Sequence, residues 1–173
     1  MSLAAFDRAI TFALFWETAG RTDGAPHDDP HDPGGFTKWG IAQSFHPDLD
    51  VPSLTRSQAV ELYFNDYWLR ARCHQMIEAV AIAHFDHAVN RGVLRAGESL
   101  QRVVGAAIDG KVGLKTLAAL DLAVLGQGER PVAALVVCER MRRHLDGAKD
   151  VHIRGLLRRC VALQELVLKE VET

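Results

Sequence analysis

Long apolar runs are missing from this chain, and that is its first informative absence. No uninterrupted apolar stretch reaches the roughly 18–20 residues needed to span a bilayer. The N-terminus also lacks secretory-signal form: Asp7, Arg8 and Glu17 break its apolar residues and no basic stretch precedes them. Cysteine is scarce and scattered. Cys73, Cys138 and Cys160 form no C-x-x-C pair, which argues against a zinc site or a disulfide framework. Excess charge is absent too, since a formal net charge of -2 makes the whole molecule no electrostatic magnet for nucleic acid. There is no H-E-x-x-H, no G-x-S-x-G and no phosphate loop; "GLKT" at 113–116 lacks the upstream glycine. Cys73 beside His74 is sequence adjacency, not thiol-enzyme geometry.

What remains is enough apolar sequence, 48% of 173 residues, for one core. Its periodicity is helical. Phe6, Ile10, Ala13 and Leu14 form a stripe predicting a helix over 4–19. "TRSQ" at 55–58 has capping-box form and opens a helix to about Arg72. Further helices are expected from Ala79 to a left-handed cap at Gly92, over 94–104, over 114–124, from Pro131 to Leu145, and from an Asp150 cap to Glu170. Only residues 37–43 hint at strand. The expected class is mainly α, with at most a short strand segment. Charge along the chain is uneven: residues 140–159 hold Arg140, Arg142, Arg143, Lys149, Arg154, Arg158 and Arg159 against Asp146 and Asp150, a run that reads as a solvated helical face, with a surface for an anionic polymer as the weaker alternative.

Chemistry concentrates early. Glu17 lies on the apolar stripe, one turn beyond Ala13 and Leu14, where partial desolvation favours a neutral, proton-donating carboxyl. Residues 20–35 follow as a long Gly/Asp/Pro/His loop with Asp28, Asp29, Asp32, His27 and His31. A carboxylate held there near Glu17 suits glycosidic chemistry. A metal held by the same His and Asp side chains is the weaker alternative, because H-x-x-x-H in a proline-rich loop has no helical geometry. Tyr63, Tyr67 and Trp68 fall on adjoining helical positions, as a sugar-stacking face or as core. Asp86 and Asn90, one turn apart, either tie elements together or line a cleft.

The series "FDRAITFALFWE", "DPGGFTKWGI", "YFNDYW", "FDHAVNRGVLRAGESLQRVVG" and "DGKVGLKTLAAL" resembles glycoside hydrolase family 108, bacterial and phage N-acetylmuramidases also called secretion-activating or lysozyme-like proteins. The resemblance implies a lysozyme-like helical fold, with a catalytic segment over 1–85 and a helical peptidoglycan-domain segment over 86–173 packed as one unit. It implies cleavage of the β-1,4 bond between N-acetylmuramic acid and N-acetylglucosamine, with Glu17 as general acid. Asp32 and Thr37 take the D-P-G-G-x-T positions as candidates for charge stabilisation and water positioning. Tyr67, Trp68, Asp86 and Asn90 are the expected substrate contacts. No metal or cofactor is implied. The implied partner is peptidoglycan, reached through a holin or secretion machinery, with no nucleic acid and no stable membrane insertion. Synthesis in the cytoplasm and action in the periplasm or wall follow. Two departures stand out. The family's E-G-G reads "ETAG", setting Thr18 and Ala19 beside the acid, and a C-terminal F-x-x-G-W-x-x-R pattern survives as Gly155 and Arg158 without its aromatics.

Overall fold

The computed structural model describes residues 3–28, 34–147 and 150–169. Among them run α1 (Leu3–Glu17), a hairpin of β1 (Thr37–Lys38) and β2 (Ile41–Ala42), α2 (Arg56–Tyr63), α3 (Glu78–Arg91), α4 (Val93–Val104), α5 (Leu114–Gln127), α6 (Glu129–Gly147) and α7 (Asp150–Leu168). The protein is mainly helical. None of the helices described is long and apolar enough to cross a membrane.

The central element is α3. Every residue from Ala79 to Ala88 is buried, so this helix has no wet face over nearly three turns. Its alanines at 79, 81, 83 and 88 let neighbours approach closely. Around it pack α1, α4, α6 and α7. The expected division between residues 85 and 86 therefore falls inside one continuous helix.

Burial in α3 carries a pH consequence. His84 is fully enclosed, and burial pulls its imidazole down from 6.5 to about 4. The folded value lies below the unfolded one, so the unfolded chain binds the extra proton. Stability present above pH 6.5 is lost as pH falls towards 4. His84 alone contributes on the order of 3 kcal/mol; burial lowers His87 and His144 as well, so they act in the same direction. Urea unfolding at pH 7 and pH 4.5 measures the loss, and His84→Asn is expected to shrink the difference.

The capping box forms as the sequence suggests: Gln58 N–H donates to Thr55 Oγ1, and Thr55 N–H donates to Gln58 Oε1 at 2.9 Å. The helix beyond it does not run evenly to Arg72. After Tyr63 it widens into a π turn over Phe64–Leu69 and ends with Arg72 at φ 57°. Aromatic packing explains the widening. Phe64 and Trp68 both meet Phe6, at centroid distances of 4.9 and 5.3 Å, and Trp68 also meets Phe85 at 5.6 Å. Gly92 ends α3 with positive φ, but at φ 86° and ψ 153° it occupies a region open essentially to glycine alone, not the left-handed helical cap expected.

The L-Q…D-G-x-x-G series proves to be structural. Buried Gln101 accepts from the N–H groups of Asp109 and Gly110, and donates to Asp109 Oδ1 and to the Lys111 carbonyl. A Cβ on Gly97 would stand 2.2 Å from the Gly110 carbonyl oxygen, so α4 and this turn touch backbone to backbone.

Candidate functional site

The hairpin explains much of "DPGGFTKWGI". Trp39 and Gly40 connect β1 to β2, both at positive φ (56° and 74°), the signature of a tight I′ turn. A bulky residue in that region is strained. Trp39 is held there by three contacts: its N–H donates to the Gly24 carbonyl, its indole N–H donates to the Leu54 carbonyl at 3.1 Å, and its ring covers Gly24. Its carbonyl accepts from Tyr63 Oη at 3.0 Å.

This strained turn delivers Gly40 to Glu17, the last residue of α1. A Cβ on Gly40 would lie 2.6 Å from Tyr63 Oη and 2.9 Å from Glu17 Cβ. Gly40→Ala is thus expected to destabilise the fold by about 2–4 kcal/mol through overpacking and left-handed strain, and to displace Glu17. Thermal melting checks the loss of stability.

Beyond Gly40 opens a cleft of about 170 Å³, walled by Ile41, Ala42, Phe45 and His46 from the hairpin side and by Leu62, Tyr63, Asp66 and Tyr67 from the α2 side. Phe45 is largely exposed and presents an open aromatic face. Burial raises the Tyr63 and Tyr67 hydroxyls, and the Glu17 charge adds to both. Asp66, facing this cleft, is a carboxylate that sequence reading passed over.

Glu17 itself keeps 24% of its side-chain surface. Beside the partial desolvation expected from the apolar stripe, the structure sets a cation against this carboxyl. Arg159, from α7, donates through Nη1 to Glu17 Oε1 at 2.6 Å. That guanidinium also donates twice through Nε to Asp86, at 3.1 Å, and once through Nη2 at 2.6 Å. Arg140, from α6, completes the chain with a short contact from its Nη1 to Asp86 Oδ2. Burial works to raise the Asp86 carboxyl, but the two guanidiniums overcome it and hold it below the usual carboxylate range. Burial likewise opposes the Arg159 charge, and Asp86 and Glu17 outweigh it, holding Arg159 above its ordinary value.

Several expectations change here. Asp86 is buried and occupied by Arg140 and Arg159, so it ties α3, α6 and α7 together and does not face a ligand. Trp68 is a core residue, 4% exposed, not a stacking platform. Tyr67 does line the cleft. Asn90 is half-buried on α3 with its Oδ1 unpaired. Thr37 sits on β1, where its hydroxyl donates to the Gly35 carbonyl at 3.3 Å and its backbone bridges His27. Asp32, with Asp29 and His31, lies outside the described residues. Thr18 does not crowd the acid from the cleft side: it is buried and its hydroxyl turns back to the Leu14 carbonyl at 2.8 Å.

Arg140 and Arg159 belonged to the run read as a solvated face, yet they are 1% and 6% exposed. A signal was present for the second. Counted from Gly155, the arginine of G-W-x-x-R falls at Arg159, not at Arg158.

Residues 15–92 match the glycosyl hydrolase 108 family model, a segment holding Glu17, the hairpin and the cleft. The fold is similar to the solved structure of SagA from Brucella abortus, with a TM-score of 0.78 and 25% identity over 96% of this chain and 95% of that one. No curated protein matches the chain in sequence. An acid at a helix end, a strained hairpin turn packed on it and a cleft beside them occupy the segment that this family model matches; over that segment the chain is similar to glycosyl hydrolase family 108, a likeness that supports a peptidoglycan-related protein with a lysozyme-like helical fold.

Proposed function

We propose that the protein is a muramidase that cleaves the β-1,4 bond from N-acetylmuramic acid to N-acetylglucosamine, with Glu17 as the proton donor. The observation that carries this reading is the meeting of Glu17, Gly40 and Tyr63 at the edge of an aromatic-lined cleft within the matched family segment. A protonated Glu17 gives its hydrogen to the glycosidic oxygen as that bond breaks, and positive charge develops on the muramic acid ring. Asp86 allows this state, because its own bonds to Arg159 keep that guanidinium compensated when Glu17 is neutral. Tyr67 and Phe45 offer ring surfaces to the saccharide.

The proposed second carboxylate is Asp32, with Thr37 positioning water. Asp66 on the α2 side of the cleft is the alternative that the geometry supports. In this reading residues 1–85 supply the catalytic segment, 86–173 buttress it through Arg140 and Arg159, and the protein acts on the wall after export by a holin or secretion machinery. Mass analysis of soluble products from purified murein tests the proposal. Muropeptides ending in reducing muramic acid are expected; reducing glucosamine ends or no products would sink it.

A second reading, a non-hydrolytic peptidoglycan-binding or secretion-accessory protein, draws on one observation: Glu17 is engaged by Arg159 in an ion pair. Murein binding without new reducing ends is its distinguishing result.

A further inference from the structure

A second cavity, about 430 Å³, lies among α3, α4 and α6, away from the residues that wall the saccharide cleft. Its lining is almost wholly cationic or imidazole. Arg91 and His87 come from α3, and Arg95 and Arg102 from α4. From α6 come Arg140, Arg142, Arg143 and His144, with Asp146 the one acid in the wall.

Part of this charge is already spoken for. Arg142 is paired with Glu139 and Asp146, Arg143 with Glu98, and Arg102 with Glu139 at 3.7 Å. Among the described residues, neither Arg91 nor Arg95 has a carboxylate partner. Burial and the charges of Arg95, Arg143 and Arg140 hold Arg91 below its ordinary value, the mark of crowded cations without a counter-charge.

The floor supplies an independent observation. Arg140 is 1% exposed; its Nη1 serves Asp86 and its Nε meets His144 Nε2 at 3.3 Å, but its Nη2 has no partner. His144 is equally buried, and burial pulls it down to about 4, so it is neutral at pH 7. Accepting at Nε2, it must carry its hydrogen on Nδ1, and that atom is unpaired as well. Both residues line the cavity, and each keeps one enclosed N–H donor without a partner, a donor costly to leave unsatisfied.

We propose that this cavity binds a phosphate group carried by a small phosphoester or diphosphate. Donors arrive from three helices, so they do not match the single plane of one carboxylate, whereas a tetrahedral oxyanion accepts from several directions. The volume exceeds one phosphate and leaves room for a second or for an attached group. A long polyanion suits it less, since the chain carries a net charge of -2. The site is independent of the muramidase reading, and its readout is binding, not wall lysis.

Calorimetric titration of the full chain with inorganic pyrophosphate tests it. Saturable one-site binding is expected, weakened about tenfold or more by Arg91→Gln/Arg95→Gln. Both side chains lie at the surface of the cavity, so the variant keeps its fold, which circular dichroism checks. Arg56→Gln/Arg70→Gln, with the same charge change on exposed residues outside the cavity, is expected to bind normally. Pyrophosphate-sensitive sedimentation with vesicles containing phosphatidic acid assigns the phosphate to a lipid headgroup. Pyrophosphate binding without vesicle capture assigns it to a soluble phosphoester. No saturable binding, or equal losses in the two double variants, overturns the proposal.

Discussion

Glu17→Gln is expected to lower the release of new reducing ends from murein by about 10²–10⁴-fold, the range for removing a general acid. The substitution separates chemistry from structure unusually well. Glutamine keeps the side-chain length and an oxygen that Arg159 Nη1 can still reach, so the contact across α1 and α7 survives without its charge. The packing of Glu17 against Gly40 is untouched, because the Cβ and Cγ remain. Loss of activity with little change in melting midpoint assigns Glu17 to proton donation. Turnover at the wild-type rate removes it from the chemistry. Should the wild-type protein bind murein but release no reducing ends, the non-hydrolytic reading takes over.

Asp86→Asn is expected to cost about 3–5 kcal/mol of stability, the range for leaving a buried charge without its partner. Two arginines are affected at once. Arg140 and Arg159 are enclosed, and Asp86 is the carboxylate they share. For a domain of this size the melting midpoint is expected to fall by roughly 6–20 °C. The variant also has a catalytic consequence. With Asp86 neutral, Glu17 becomes the remaining carboxylate bonded to Arg159, and each proton taken up by Glu17 strands a buried guanidinium. Turnover measured well below the melting range is therefore expected to fall too. A variant as stable as wild type would mean that Asp86 is not the anchor of the network.

Both predictions rest on contacts that no local pattern announces. Glu17 and Arg159 lie 142 positions apart, and Asp86 and Arg159 73 apart. Helical periodicity locates a face, but it does not say which distant residue meets that face. The same limit explains Trp68 and Tyr67. They are adjacent in sequence and equally aromatic, and the π turn sends one into the core beside Phe6 and Phe85 while the other reaches the cleft. Within the basic run, Arg142, Arg154 and Arg158 are exposed as the sequence suggests, but Arg140 and Arg159 are not, because a basic residue looks alike in sequence whether its charge meets water or a buried carboxylate.

Local physics did determine a good deal from the chain alone. The Thr55–Gln58 capping box, the helical class, a short strand stretch within residues 37–43, and an acid placed on the apolar stripe of the first helix were all legible. Each depends on residues within a turn or two of one another. Only the tertiary structure decided that Asp86 is an internal tie and that Arg159 reaches Glu17. It alone gathered Arg91, Arg95 and Arg140 around one cavity. Those outcomes depend on three helices meeting in space, and burial, which sets the strength of every charge involved, exists only once they have met.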